Sequence, residues 1–258
     1  MINSTVAIAV NTFREARRSR IFYSALVFAL VMIFASSFSS EFTIATFDRV
    51  LRDAGTGAID FFGALLAVFL GVGLVSRDID RRTAYSVVAK PIHRWQFVVG
   101  KFIGLQAVLL VALGAMFALF LAIAALWSDD PPPYGTLFWY FALRLSALSL
   151  VVAIAVLFST FSGTAVAAFG TLSLLVAGHL SEEFVRTSRF AESALTQWFA
   201  EAFYLLLPNF SRFGRSYEVA YGVAVEAGPA ITAMLYSAAY SLALLILASV
   251  IFARRELR

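Results

Sequence analysis

Residues 76–104 read SRDIDRRTAYSVVAKPIHRWQFVVGKFIG. Six basic residues (Arg77, Arg81, Arg82, Lys90, Arg94 and Lys101) fall in this stretch, against the acidic Asp78 and Asp80. Strongly apolar runs flank it, residues 59–75 before and 102–127 after. A short charged connection between two such runs reads as a loop between membrane spans, and its lysines and arginines hold it in the cytoplasm. Lys90 precedes Pro91 and is pushed away from helical dihedrals, while Pro91 suits the first turn of a following helix. The pattern therefore predicts a short helix over 83–89, a sharp turn, and a long helix running up into the bilayer. A short helix held at the membrane surface between two spans is a handle for something in the cytoplasm.

Composition agrees with a membrane setting. Of the 258 residues 61% are hydrophobic and only 14% charged, with 26 Phe, and the mean hydropathy is +0.85. That leaves no room for a separate soluble domain. The net charge of +4 raises nucleic acid as a partner, but the basic residues cluster at the ends of apolar runs. That placement speaks for orientation in a bilayer rather than phosphate binding. Cysteine is absent, which removes disulfides, thiolate metal sites and cysteine nucleophiles.

Working outward, Val6, Val10 and Phe13 lie on one helical face of residues 4–19, with Arg14, Arg17, Arg18 and Arg20 crowding its end. This predicts an amphipathic helix in the cytoplasmic interface. Ala35-Ser36-Ser37 has the look of a signal-peptide cleavage region, but a signal peptide has a shorter apolar core and no amphipathic start. Six spans are expected, at about 21–38, 59–75, 102–127, 136–158, 163–180 and 229–253, in one all-α polytopic domain covering 1–258. Gly63, Ala67 and Gly71, and again Gly114, Ala118 and Ala122, form small-residue stripes that admit close helix approach. Residues 181–228 make one long outer loop, in which Leu195, Trp198, Phe199 and Phe203 form an apolar stripe that predicts an amphipathic helix on the far membrane face, with Pro208 as its stop.

Six spans put both termini on one side. The inside segments then hold Arg14, Arg17, Arg18, Arg20, the six basic residues of 76–104, and Arg254, Arg255 and Arg258. Outside remain Arg49, Arg52, Arg186, Arg189, Arg212 and Arg215, mostly on the longer loop where charge orients weakly.

No catalytic constellation stands out. His93 and His179 fall on opposite sides of the expected membrane, and no phosphate-binding loop occurs. His179, Glu182 and Glu183 have a spacing a metal could use, but polar residues capping a span end explain it as well, and no metal site is expected. Gly100 and Gly104 read as helix packing. Arg144 is the one basic residue well inside a span. Its insertion costs at least ~2.5–3.5 kcal/mol at a bilayer centre, so it should face the bundle or a water path, or else snorkel outward. Asp60, near the outer end of its span, is its candidate partner, and the two are candidate path or gating residues or a structural anchor.

The segment 76–104 resembles the cytoplasmic coupling region of type-2 ABC exporter permeases. The matching residues are Asp78 and Asp80, Thr83, Pro91, Ile92, Arg94, Gly100 and Lys101, while Arg82 stands where that family commonly has Gly. Residues 205–214, LLLPNFSRFG, resemble the Pro-Asn stretch before the sixth span in some short members, and size and layout are most similar to the nitrous-oxide-reductase maturation permeases. The resemblance implies an N-terminal elbow helix, a coupling helix, and a dimer with a second copy or a paralogue. Spans one, two and five would line the interface and path. A separate cytoplasmic ATPase subunit would hold the ATP and Mg, with none in this chain. Arg81, Arg82, Thr83, Tyr85, Lys90 and Pro91 would carry the ATPase contact. The expected place is the inner (cytoplasmic) membrane, with both termini cytoplasmic and no nucleic-acid partner. Two rivals are a stand-alone secondary transporter or channel, which should bury several ionisable residues mid-span, and an intramembrane enzyme, for which no paired carboxylates or Ser-His set lie within the spans.

Overall fold

A computed structural model describes residues 2–39, 47–80, 93–127, 133–188, 195, 197–198, 201–202, 204 and 207–254. Among these the chain is almost entirely helical, with no strand. Helices α1 (Ile2–Arg17) and α2 (Arg20–Ser39) are bent 59° from one another. They are followed by α3 (Phe47–Asp80), α4 (Arg94–Trp127), α5 (Tyr134–Phe161) and α6 (Thr164–Ser188). A 3-10 turn (Ser211–Phe213), the short α7 (Ser216–Tyr221) and α8 (Ala227–Arg254) complete the order. Five helices, α3, α4, α5, α6 and α8, are each long and apolar enough to cross a membrane, and the α1–α2 pair is the sixth candidate. This is a polytopic helical membrane protein.

The helices run past the apolar spans legible in the sequence. Helix α3 has 34 residues, about 51 Å at 1.5 Å per residue, against a hydrocarbon core of about 30 Å. Its first turns, which the sequence assigns to a loop, stay helical because they keep a buried face. Leu51, Thr56 and Ile59 are all buried there, and the rings of Phe120 leave no room for a Cβ at Gly55. Helix α4 begins eight residues ahead of its expected span. His93 and Gln96 cap each other reciprocally, Gln96 Oε1 accepting from the His93 amide at 3.1 Å and His93 O from the Gln96 amide at 2.9 Å. That satisfies amides that a helix start otherwise leaves bare. Helix α6 continues to Ser188, beyond the apolar run, with Glu182, Glu183 and Arg186 exposed.

Helix α5 is the centre of the bundle, and residues 150–156 are buried on every side. It packs on α3, α4, α6 and α8, and a helix apolar all round belongs in that place. The α3 stripe explains one contact. A Cβ at Gly63 would meet Leu148 at 3.0 Å, and one at Gly71 would meet the Ala155 Cβ at 2.8 Å. Gly100 and Gly104 play the same part for α4 against α1, where added Cβ atoms would fall 2.8 Å from Ile8 and 2.6 Å from the Ala9 carbonyl. The second stripe behaves differently. Nothing among the described residues lies within 4 Å of a Cβ built at Gly114, and Ala118 and Ala122 are exposed.

Beyond α6 the described residues of 195–204 (195, 197, 198, 201, 202 and 204) are helical, and from 207 the chain returns to the bundle as an extended strap. Pro208, Asn209 and Phe210 are buried, and the Phe210 amide donates to the Gly178 carbonyl at 3.2 Å. Only a glycine at 178 lets the Pro208 carbonyl come this close to α6. Leu195 and Trp198, from the expected apolar stripe, are exposed, while Phe199 and Phe203 lie outside the described residues. Gly222, at φ 67°, ends α7 in the left-handed conformation that glycine adopts without strain. Val223 O then accepts from Thr136 Oγ1 at 2.9 Å, tying the turn to the start of α5.

Candidate functional site

The charged pair read from the sequence meets at one end of the bundle. Thr56 and Asp60 lie one turn apart on α3, and Tyr140 and Arg144 one turn apart on α5, so the two pairs face each other in register. An Arg144 Nη2 pairs with Asp60 Oδ2. The Tyr140 hydroxyl lies 2.5 Å from Asp60 Oδ1 and 3.0 Å from the Thr56 carbonyl, and its one proton serves either acceptor. Ser216 Oγ on α7 donates to Asp60 Oδ2 at 3.1 Å. Three elements, α3, α5 and α7, are thus fastened through a single carboxylate. Arg144 is 8% exposed, and its Nε is buried with no hydrogen-bond partner. With Arg144 this deeply buried, loss of one partner strands the other.

Beside the pair lies a cavity of about 300 Å³ lined by α3, α5, α6 and the strap, with Asp60, Arg144 and His179 as its ionisable groups. His179 stacks on Phe210 at 5.3 Å and 6° between planes. Its Nδ1 sits 2.9 Å from the Leu175 carbonyl. Ser211 Oγ donates to the His179 carbonyl at 3.2 Å, so ring and backbone of His179 both hold the strap. Glu183 meets Arg186 at 3.6 Å on the exposed face of α6. These are the roles the structure gives two of the three residues whose spacing suggested a metal, and the described residues contain no group of three or more metal-ligating side chains. Asn209 anchors the strap from the other side. Its amide donates to the Tyr236 hydroxyl at 3.1 Å, and its Oδ1 accepts from the Ser211 amide at 3.0 Å. Arg212 donates to the Tyr204 hydroxyl at 3.3 Å and holds that phenol below its ordinary pKa.

The second set of site residues, Arg81, Arg82, Thr83, Tyr85, Lys90 and Pro91, lies outside the described residues. The chain is described again from His93, at the entry to α4. Arg94 Nη1 donates to the Ala253 carbonyl at 2.8 Å and the Phe252 carbonyl at 3.2 Å, capping the end of α8 with a positive charge. Phe97 stacks on Phe252 at 5.5 Å. One turn on, the buried Lys101 Nζ lies 3.7 Å from Glu15 of α1. The first two turns of α4 therefore grip both terminal helices at the end expected inside. Arg94 and Lys101 stand in the sequence as orienting charges, and their two helix contacts were not readable there.

Comparison with known families places the chain. A family model described as ABC-2 family transporter protein matches residues 6–257. No curated protein matches the chain. The family match runs from the second turn of α1 to beyond the end of α8.

Proposed function

The chain belongs to the ABC-2 transporter family, and from that premise we propose that it is the membrane permease of an ATP-driven exporter. As a permease of this family it is the transport component in the membrane, a multi-pass helical subunit. The finer reading is a pair of such subunits, each carried by a cytoplasmic ATPase that holds ATP and Mg and grips residues 83–90 through Arg81, Arg82, Thr83, Tyr85, Lys90 and Pro91. The observation that carries it is the pairing of a family match over residues 6–257 with the contacts of the first turns of α4 on α1 and α8, which in the sequence follow directly on the basic, proline-containing stretch 81–92. The pairing of subunits is supported by α6, which leaves Val166, Phe169, Val176, Leu180 and Phe184 exposed along one face. Exposed apolar faces on a membrane helix meet either lipid or another helix.

Asp60 and Arg144 fit a latch at the outer end of the path. Their mutual neutralisation argues against a stand-alone ion carrier, which needs ionisable groups free to bind or relay ions. The reading is tested by purifying the tagged chain from its own membrane. A P-loop ATPase should come with it, and the complex in vesicles should move cargo only with ATP. Recovery of the chain alone, with ATP-independent conduction, would favour the rival channel.

Orientation has its own test, aided by the absence of cysteine. On this reading both termini and residues 77–101 lie on the cytoplasmic side of the inner membrane, and Asp129, Glu182 and Glu218 on the outer side. A cysteine at position 86 should be silent to an impermeant maleimide on intact cells and react after permeabilisation. Labelling before permeabilisation would invert the topology.

A further inference from the structure

Four serines gather near mid-membrane depth on the side of the bundle away from the charged pair. Ser146 and Ser149 sit near the midpoint of the 28-residue α5, and Ser237 and Ser241 near that of the 28-residue α8. With Phe102 of α4 and Met234 they line a cavity of about 320 Å³. That is room for about ten waters at the volume each takes in the liquid, or for a small polar head and the first carbons of a chain. It lies within the size range of small-molecule pockets.

The hydrogen-bond inventory defines what would fit. Ser146 Oγ donates to the Ala142 carbonyl at 2.8 Å, and Ser237 Oγ to the Ser146 carbonyl at 2.6 Å. Ser149 Oγ lies 2.8 Å from Gln106 Oε1 and 2.9 Å from the Leu145 carbonyl. With their protons committed, these three oxygens have only lone pairs left to offer. Ser241 is different. Its Oγ has no partner and is turned away from the open space of the cavity that the residue lines, so a turn about χ1 is what would present it to an occupant. The Gln106 amide nitrogen is likewise buried and unpartnered, but it lies behind Ser149 and does not line the cavity. Orphaned polar groups are destabilising in a dry interior and call for an occupant. No ionisable side chain lines the cavity, so a charged ligand would stand there uncompensated. Acceptors and a donor around one uncharged space, closed by Phe, Met and Leu, match a hydroxyl on an apolar chain.

We propose that this serine chamber is a binding site for an uncharged, hydroxyl-bearing amphiphile. It is distinct from the Asp60–Arg144 cavity, and binding needs neither the ATPase nor turnover. The mouth is bordered by Leu242, which is 60% exposed, so entry is sideways from the apolar phase.

The test is photolabelling of the purified full chain with a diazirine-bearing octanol, using its methyl ether as the control that cannot donate. Capture should map to residues 234–245 and 146–149, be competed by plain octanol, and be much weaker for the ether. Ser241→Ala should cut capture about tenfold, the scale of one lost hydrogen bond in an apolar site. That variant removes only an orphaned hydroxyl, so it should fold at least as well as the parent. Ser241→Leu, which fills the chamber, should abolish capture. Equal labelling by the ether would mean an apolar crevice only. No labelling of these helices would mean that water or a second copy of the chain fills the space. An unchanged Ser241→Ala would mean that its hydroxyl is not the recognising group. Each of these three results overturns the proposal.

Discussion

Asp60→Asn is expected to destabilise the purified chain more than Arg144→Gln does, although both break the same ion pair. The reason is an asymmetry in what each leaves behind. A carboxylate stranded in an apolar setting can bind a proton and become neutral, and Asp60 would still have Tyr140 and Ser216 beside it. A guanidinium stays charged under all ordinary conditions, and Arg144 is almost fully buried with one nitrogen already lacking a partner. Removing one member of a buried pair typically costs about 3–5 kcal/mol, so Asp60→Asn should sit at the upper end of that range and Arg144→Gln below it. The double change Asp60→Asn with Arg144→Gln should recover most of the loss, because no charge is left stranded. The readout is thermal unfolding in detergent together with folded yield. If the double variant folds well but ATP-driven transport falls, the pair is a latch in the path and not only an anchor. Parent-like stability of Asp60→Asn would sink the latch and the anchor alike.

The pair was legible because ionisable residues are rare inside apolar runs, and two of opposite sign at matching depth have few alternatives. Its surroundings were not. Ser216 lies 156 residues from Asp60, on a short helix whose position depends on the strap. Nothing local in PNF at 208–210 announces that it is buried across α6. The glycine at 178, read alone, is one more small residue in a span, and its role appears only when the Pro208 carbonyl is laid against it. Helix ends escaped for a related reason. Apolar runs mark where lipid is, and α3, α4 and α6 continue beyond it wherever neighbours or caps sustain them. Serines in a span are inconspicuous, yet Ser146 with Ser149 and Ser237 with Ser241 repeat at i,i+3 and i,i+4, which places each pair on one helix face. That spacing was the available signal for the chamber, and it needed two helices to be seen together.

The largest functional effect is expected from Arg82→Glu combined with Tyr85→Ala, in the loop that leads into α4. Interfaces concentrate their energy in a few anchors, with aromatic residues and arginine prominent among them, and this loop holds both. Truncating one such anchor typically costs about 1–4 kcal/mol, roughly tenfold to a thousandfold in affinity, and reversing a charge adds repulsion. The bundle should stay folded, because both residues fall in the charged stretch outside the apolar runs that the sequence assigns to the membrane. The contacts of α4 indicate where the motion should go. Arg94 caps α8, Phe97 stacks on Phe252 and Lys101 reaches Glu15 of α1, so a pull on the loop moves α4 with both terminal helices attached. Two losses can therefore be told apart. The loop variant should shed the ATPase, whereas Arg94→Gln, which loses the cap on α8 but leaves the loop intact, should keep the ATPase bound while cargo movement per ATP falls. Copurification and ATP hydrolysis in lipid measure the first, and vesicle transport the second. If the loop variant retains the ATPase and its cargo-stimulated hydrolysis at parent levels, residues 83–90 are not the transmission element and the grip of α4 serves stability alone.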